Sequence, residues 1–181
     1  MFAFRFASLF LLATSFVSGA AVVEKRSSTA DIETVLNTLK NSTDSILPQI
    51  TALSSGGTAT DATVTPLITD LTTALNTATA SLATLTPVTS TKRQSDDDIA
   101  NLVAGIVTDI ANALDTLLGD ASAIPDLGTL LSGVDTALDQ VLVGLETLLA
   151  GVLNLVATLL VDVAGLLRSL AFGLTLASLG L

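Results

Sequence analysis

The sequence predicts an all-α protein, in which an antiparallel helical hairpin precedes long, hydrophobic, amphipathic helices in a four-helix-bundle-like arrangement. Apolar residues recur at steps of three and four along most of the chain, which is the period of one face of a helix. Proline and glycine stand at the points where this period is interrupted. The chain has no cysteine, so packing rather than disulfide bonds has to hold this fold together.

The first 26 residues carry the features of secretion and processing. Residues 1–20 contain a basic residue, an apolar run and a small-residue ending, and they are predicted to be a signal peptide. An N-terminal membrane anchor is the alternative, which the shortness of the apolar run disfavours. Residues 21–26 end in the basic pair Lys25 and Arg26 and are predicted to be a propeptide. A second pair, Lys92 and Arg93, is either another cleavage site or part of an exposed linker.

The composition limits the partners and the chemistry of the chain. Three of its 7 basic residues and one of its 17 acidic residues precede residue 27, which leaves 4 basic and 16 acidic side chains and a net charge of −12. Such a surface disfavours nucleic acid and anionic lipid headgroups as partners. Because the sequence has no histidine and no cysteine, a histidine-dependent triad and a zinc site of these ligands are excluded.

We therefore expect no enzymatic activity, no cofactor and no metal ion. Paired carboxylates for glycoside hydrolysis remain the alternative chemistry. The acidic residues, however, recur with the spacing of solvated helix faces, which favours a non-catalytic role.

Residues 27–93 are predicted to form a Ser/Thr-rich helical hairpin. Two apolar series with alternating steps of four and three, typical of a helix packed on another helix, flank the turn Ser54–Thr58. Pro66 is expected in the first turn of the second helix, and Pro48 is expected to kink the first. The series are Ile32, Leu36, Leu39, Thr43, Ile46, Ile50 and Leu53, then Val64, Ile68, Leu71, Leu75, Ala78, Leu82 and Leu85.

The abundant threonine and serine outside these series have two interpretations. They either keep the helices soluble or carry O-linked sugars, which secreted Ser/Thr-rich segments often receive. Asn41, Ser42 and Thr43 also form an N-glycosylation sequon, which makes Asn41 a candidate glycosylation site, although such triplets also occur by chance.

Residues 94–181 are predicted to be a hydrophobic helical region. Ser95, followed by Asp96–Asp98, predicts a capped helix start with negative charge at the positive end of the helix. A calcium site is the alternative, but the alternating ligand spacing of a calcium loop is missing. This helix is expected to end at Gly119, and the next is expected to begin after Pro125 and Asp126.

A long amphipathic segment, Leu127–Leu170, dominates this region. At about 100° per residue, acidic residues such as Asp135, Asp139 and Glu146 fall on one half of the helical wheel and are expected to face water. Leucine and valine fill the other half. The candidate interface residues on that half are Leu127, Leu131, Val134, Leu138, Val141, Leu145, Leu149, Val152, Val156 and Leu159.

The length of this segment predicts a break and disfavours a membrane span. A continuous helix from Leu127 to Leu170 would be about 66 Å long at roughly 1.5 Å per residue, so a break or bend is expected near Gly144–Gly151. The longest uncharged run inside it, Thr147–Val161, is too short for a span of roughly 20 residues. No stable transmembrane insertion is therefore expected.

The secretory features, the propeptide ending in Lys25 and Arg26, the cysteine-free hairpin and the apolar second half together resemble a small secreted fungal cell-wall protein. The half-polar, half-apolar layout is similar to that of basidiomycete hyphal-wall proteins that support hydrophobicity and attachment alongside hydrophobins. Residues 31–85 also resemble the fungal hydrophobic-surface-binding and cell-wall galactomannoprotein family. The resemblance covers most of the chain after residue 26, rests on composition and layout, and assigns no functional residues.

This resemblance implies an extracellular, wall-associated structural glycoprotein that binds hydrophobic surfaces or interfaces and supports hyphal attachment. Its implied partners are hydrophobic surfaces, cell-wall components or hydrophobin-like proteins, with self-association as a further option. Two other hypotheses remain open from the apolar faces alone. One is a helical carrier of a lipid or other apolar ligand. The other is a membrane-inserting or lipid-anchored protein, which lacks the polar spacer of an anchor signal.

We predict that the secreted protein begins at Ser27 and that a fraction of it begins at Gln94, because secretory-pathway proteases cleave after dibasic pairs. Intact mass and N-terminal sequence of the secreted protein would test this and would report glycosylation at the same time. Secreted protein whose only N-terminus is Ala21 would contradict the propeptide.

Overall fold

The computed structural model describes residues 28–88 and 93–181. These ranges contain helices, turns and loops but no β-strand, which confirms the all-α prediction. A short 3₁₀ turn, Ala121–Ala123, lies between the third and fourth helices. The seven α-helices of the described ranges are α1 (Thr29–Ser55), α2 (Asp61–Ala83), α3 (Arg93–Leu118), α4 (Leu127–Leu148), α5 (Val152–Leu159), α6 (Ala164–Ser169) and α7 (Gly173–Leu179).

Helices α1 and α2 form the predicted hairpin, and both begin with a side chain that reaches back to the backbone. The Asp31 carboxylate accepts the Ser28 N–H at 2.8 Å, and the Thr63 hydroxyl accepts the Thr60 N–H at 2.9 Å. Because this second cap starts α2 at Asp61, Pro66 lies beyond the first turn, and the expectation that it belongs to the first turn is wrong. Capping satisfies several amides, whereas a proline inside the helix removes only one donor.

The hairpin and the second half share one hydrophobic core. Helix α1 packs on α2 and α3, α2 packs on α4, and α3 packs on α5. Twelve of the fourteen residues in the two predicted hairpin series are buried, and the last residue of each, Leu53 and Leu85, is partly buried against the core. Thr43 belongs to the buried set, and its hydroxyl donates to the carbonyl of Lys40 at 2.8 Å.

Helix α3 is the core helix of the second half. It begins at Arg93 rather than at Asp96, so Ser95 lies inside the helix, and the expectation that Ser95 caps its start is wrong. Its end at Leu118, next to Gly119, agrees with the prediction. Within the described ranges, Asp96–Leu118 is one segment long and apolar enough to cross a membrane, but half of that window, 50%, is buried in the bundle. Packing against α1 and α5 accounts for its apolar character.

The predicted break in the long apolar segment is confirmed. Helix α4 ends at Leu148, and Gly151 has the left-handed φ of 90° that glycine adopts without strain. Two further breaks, at residues 160–163 and 170–172, were not predicted. They divide the rest of the chain into α5, α6 and α7, of 8, 6 and 7 residues.

Gly144 of α4 faces Leu82 of the hairpin. A Cβ atom built on Gly144 would lie 3.7 Å from the Cβ and Cδ1 atoms of Leu82 in α2, which is ordinary contact distance. A Cβ atom on Gly133 of the same helix would meet nothing within 4 Å. The two glycines therefore differ in the room around them, while both lie inside the same helix.

We predict that Gly144→Leu lowers stability by about 1–3 kcal/mol, because its added side chain separates α4 from Leu82. This corresponds to a fall of roughly 2–12 °C in the thermal midpoint for a domain of this size. Gly133→Leu, the matched control, gains the same helix propensity without the clash. Thermal unfolding followed by circular dichroism measures both, and equal midpoints for the two variants would refute the close approach.

Candidate functional site

The structure places nine of the ten candidate interface residues in the core. Each of the nine is at most 5% exposed, whereas the tenth, Leu159, is 45% exposed. In the closed bundle the nine side chains pack in the core beside α2, α3 and the shorter helices, so an interfacial role for them requires rearrangement. The nine buried residues are Leu127, Leu131, Val134, Leu138, Val141, Leu145, Leu149, Val152 and Val156.

The large apolar side chains that the described part of the chain exposes all lie in the second half. Between 37% and 59% of each is exposed, and they are Val143, Leu155, Leu159, Val161 and Leu174. Leu155 and Leu159 are four residues apart on α5, so they share one helix face. Val161 follows in the turn after that helix. We call Leu155, Leu159 and Val161 the α5 patch.

The α5 patch borders a shallow depression on the bundle. Leu155 and Leu159 line a cavity of about 310 Å³ together with Ala100 and Asn101 near the start of α3. Asp97, Asn101 and Thr158 add polar groups to its lining. Three neighbouring exposed apolar residues beside such a depression form a surface that can contact an apolar partner.

Sequence reasoning missed most of this surface. Val143, Leu155, Val161 and Leu174 were not candidates, because the helical wheel assumed a single helix with one covered face. The signal that could have found them lies in α5, where leucine, valine or alanine occupies six of eight positions. The only polar residues of this helix, Asn154 and Thr158, share one narrow side, so its apolar surface is wider than one core can cover.

Two carboxylates expected to face water instead hold α7 against α4. Asp135 is 5% exposed, and its two carboxylate oxygens accept the N–H groups of Leu174 at 3.0 Å and Thr175 at 2.9 Å. Asp139 accepts a hydrogen bond from the Ser178 hydroxyl. The expectation fails for these residues because α7 folds back onto the polar side of α4, which a wheel of one helix cannot anticipate.

Glu146 has a similar role at the start of α5. Its carboxylate oxygens accept the N–H groups of Gly151 at 2.8 Å and Leu153 at 3.2 Å. Negative charge at a helix N-terminus satisfies unpaired amides and interacts favourably with the helix dipole. The residue is therefore a helix cap and is only partly exposed.

The docked α7 also carries three unfavourable features. The Thr175 hydroxyl is buried without a hydrogen-bond partner among the described residues, which costs about 1–3 kcal/mol. Ala171, just before the helix, has a φ of 60°, a left-handed conformation that costs roughly 1–2 kcal/mol for a residue with a Cβ atom. The Asp135 carboxylate has lost most of its water. Burial of Phe172, Leu176 and Leu179 offsets these costs.

The predicted modification sites lie on the hairpin and near the segments that the structure leaves out. Asn41 is exposed on α1 and its glycosylation stays a prediction, while Thr43 of the same sequon is 1% exposed. Arg93 begins α3, but its side chain is not described. Lys25, Arg26 and Lys92, the signal peptide and the propeptide lie outside the described residues.

The outer surface of the hairpin is polar but carries little charge. Along α2, the hydroxyls of Thr69, Thr73, Thr77 and Ser81 each donate to the carbonyl four residues earlier at 2.8 Å. Their donors are thus satisfied within the helix, and their methyl groups and lone pairs remain outside. O-glycosylation of such exposed hydroxyls also stays a prediction.

Charged groups join α1 to α3 on another side of the bundle. The Lys40 ammonium lies 3.0 Å from a carboxylate oxygen of Asp44 and 3.6 Å from one of Asp109. The hydrogen bond to Asp44 raises the pKa of Lys40 above its ordinary value, Asp109 adds to this effect, and partial burial opposes it. No group of three or more acidic residues that could hold a metal ion occurs in residues 28–88 or 93–181.

A groove lies between α1 and α3 of the described bundle. It has a volume of about 770 Å³ and opens to solvent. Leu47, Pro48 and Ala113 contribute apolar surface to it, while Asp44 and Asp109 contribute charge. An apolar ligand would therefore lie in it with one side against water.

Comparison with known proteins gives one short similarity. No protein-family profile matches the sequence. A stretch of 49 residues is 53% identical to part of Fruiting body differentiation protein 16 from Flammulina velutipes, a basidiomycete. The match covers 27% of this chain and 38% of that protein, so the chain spans well under two thirds of the length of this relative. The similarity is consistent with a fungal origin.

We predict that Asp135→Ala destabilises the protein by about 1–3 kcal/mol, because it leaves the amides of Leu174 and Thr175 without their acceptor. Asp135→Asn retains one acceptor oxygen and should therefore lose less stability than Asp135→Ala. Asp162→Ala, at an exposed position, should stay within about 0.5 kcal/mol of the parent protein. Urea unfolding measures all three, and an Asp135→Ala loss no larger than that of Asp162→Ala would contradict the capping role.

Proposed function

We propose that the protein is a secreted, non-enzymatic amphiphile that adsorbs through its second half to hydrophobic surfaces or apolar layers of the fungal cell wall. The observation that carries this proposal is the one-sided distribution of exposed apolar side chains. All five of the large apolar side chains that the described residues expose lie in the second half, and three of them form the α5 patch. The hairpin presents hydroxyl groups instead. Uneven apolar exposure of this kind is typical of an interaction surface.

The size of the α5 patch suits reversible adsorption. Complete burial of a leucine or valine side chain contributes about 1.5–3 kcal/mol. Because Leu155, Leu159 and Val161 are 37%, 45% and 59% exposed, the patch still has roughly 2–4 kcal/mol to gain at an apolar surface. Val143 and Leu174 add to this only if the same surface reaches them.

The biological setting is inferred from the leader sequence and the fungal relative. A signal peptide and a dibasic propeptide site support export of the chain. The relative is named for fruiting-body differentiation. We propose that this chain lies outside the cell, at the hyphal wall, where it supports surface hydrophobicity or attachment. Wall components, hydrophobin-like proteins and further copies of the chain are its proposed partners, and it needs no cofactor.

We predict that the combined substitutions Leu155→Ser, Leu159→Ser and Val161→Ser weaken adsorption at least tenfold, since about 1.4 kcal/mol corresponds to each factor of ten. Binding of the full-length protein to a hydrophobic solid and its lowering of surface tension are the measurements. The matched control is Thr69→Ser, Thr73→Ser and Thr77→Ser, which removes three exposed methyl groups from the hairpin. Equal adsorption by the two triple variants would argue against the α5 patch.

Exposed positions are the appropriate ones to change in this test. Charged substitutions of Val141 and Leu149, which are 2% and 1% exposed, would unfold the core and confuse stability with adsorption. Separating residues 27–93 from 94–181 has the same drawback, because α1 packs on α3 and α2 packs on α4. Thermal unfolding of each triple variant verifies that the bundle remains folded.

The groove between α1 and α3 favours a second candidate, a carrier of an apolar ligand. Its volume of about 770 Å³ lies in the range of small-molecule sites. A carrier would copurify with a stoichiometric lipid, which mass spectrometry under native conditions detects. Ala52→Phe, at an exposed position on the wall of the groove, would then displace the lipid while the α5 patch substitutions would leave it bound. Absence of bound lipid, together with weaker adsorption of the α5 triple variant, would favour the amphiphile.

A further inference from the structure

We infer that α7 is a releasable anchor. At an apolar surface the segment Phe172–Leu179 leaves α4 and buries Phe172, Leu176 and Leu179 in that surface. The inference rests on the proposed adsorption and adds a conformational step and a second contact to it. Adsorption begins through the α5 patch, and the release of α7 follows.

Two kinds of interaction hold α7 in place. Phe172, Leu176 and Leu179 lie in the hydrophobic core, with Phe172 completely buried. Asp135 accepts the N–H groups of Leu174 and Thr175, and Asp139 accepts the Ser178 hydroxyl. Packing therefore acts on one side of the helix, and a short row of hydrogen bonds from α4 acts on its start and its other side.

Three features of the docked segment favour its release. The buried Thr175 hydroxyl, which has no hydrogen-bond partner in the described part of the chain, would gain water. The Asp135 carboxylate, 5% exposed when α7 is docked, would also regain water. The left-handed backbone of Ala171 could relax, since the turn before α7 would no longer be fixed by docking. All three lie within or directly against the same short segment.

The surroundings of the protein decide whether the interactions that hold α7 or the features that favour its release prevail. In water, release exposes Phe172, Leu176 and Leu179, and the loss of their burial keeps the helix docked. At an apolar surface these three side chains are buried again, whereas the hydration of Asp135, which stays on α4, is still gained. The surface thus has a higher affinity for the released state, which is the requirement for shifting a conformational equilibrium. Leu174, 49% exposed on docked α7, already provides a point of contact.

A reversible crosslink between α4 and α7 tests the inference in the full-length protein. The side chains of Asp139 and Ser178 touch, and the chain has no cysteine, so Asp139→Cys with Ser178→Cys provides a unique pair of thiols. A short crosslinker with a thiosulfonate group at each end joins them through two disulfide bonds, with release of two sulfinates, and a reductant removes it. The same double variant before crosslinking and after reduction is the control, and the time course of surface tension at a hexadecane–water interface is the readout.

Uncrosslinked protein should lower the surface tension in two phases, and the crosslinked protein should lose the slower phase and recover it after reduction. Identical time courses for both forms would overturn the releasable anchor while leaving adsorption through the α5 patch intact. If both forms leave the surface tension unchanged, the proposed function is overturned, and the releasable anchor with it.

A second comparison needs no crosslink. Thr175→Val removes the unpartnered hydroxyl and should slow the second phase about fivefold or more, because docked α7 becomes more stable. Gly133→Ala stabilises α4 at an exposed position away from α7 and should leave that phase unchanged. Equal slowing by both variants would show that overall stability, and not the release of α7, controls the rate, and would overturn the inference.

Discussion

Burial of leucine, isoleucine and valine between the hairpin and the second half is the constraint on which the rest of the structure depends. The chain has no disulfide bond to restrict its unfolded state, so the core supplies its stability. Helix α3 shows the consequence, because it is apolar enough to cross a membrane yet is half buried between α1 and α5. Most apolar residues are therefore buried in the bundle, and the few that remain uncovered form its exposed apolar surface.

The hairpin could be predicted almost completely from the sequence, because its pattern is local. Ile32, Leu36 and Ile50 face the core at the spacing that the apolar series gives, and the same holds along α2. The segment after Gly151 could not be predicted in the same way. Two of its three short helices, α5 and α7, depend on Glu146 and Asp135 meeting amides that lie 5, 7, 39 and 40 residues further along the chain. A periodic pattern contains no information about such contacts.

The candidate surface shows a second limit of periodicity. A helical wheel correctly separates the apolar side of α4 from its polar side, but it does not say which neighbours cover the apolar side. Leu138 and Leu145 are covered by the bundle, whereas Leu155 and Val161 are left outside. The exposed residues are those that no further helix covers. The periodic pattern does not specify how many helices cover a given apolar side. Asp135 illustrates the reverse case, a charged residue that the fold encloses because it caps another helix.

The burial of Thr43 links glycosylation of Asn41 to the rate at which this chain folds. The sequon that begins at Asn41 can be recognised only while its threonine is accessible, and packing of α1 in the closed bundle buries that side chain. In the secretory pathway that we propose for this chain, attachment of a glycan would compete with the closure of the hairpin. Occupancy of Asn41 would record the order of these two events, and slower-folding sequences of the same hairpin would leave the cell more heavily glycosylated.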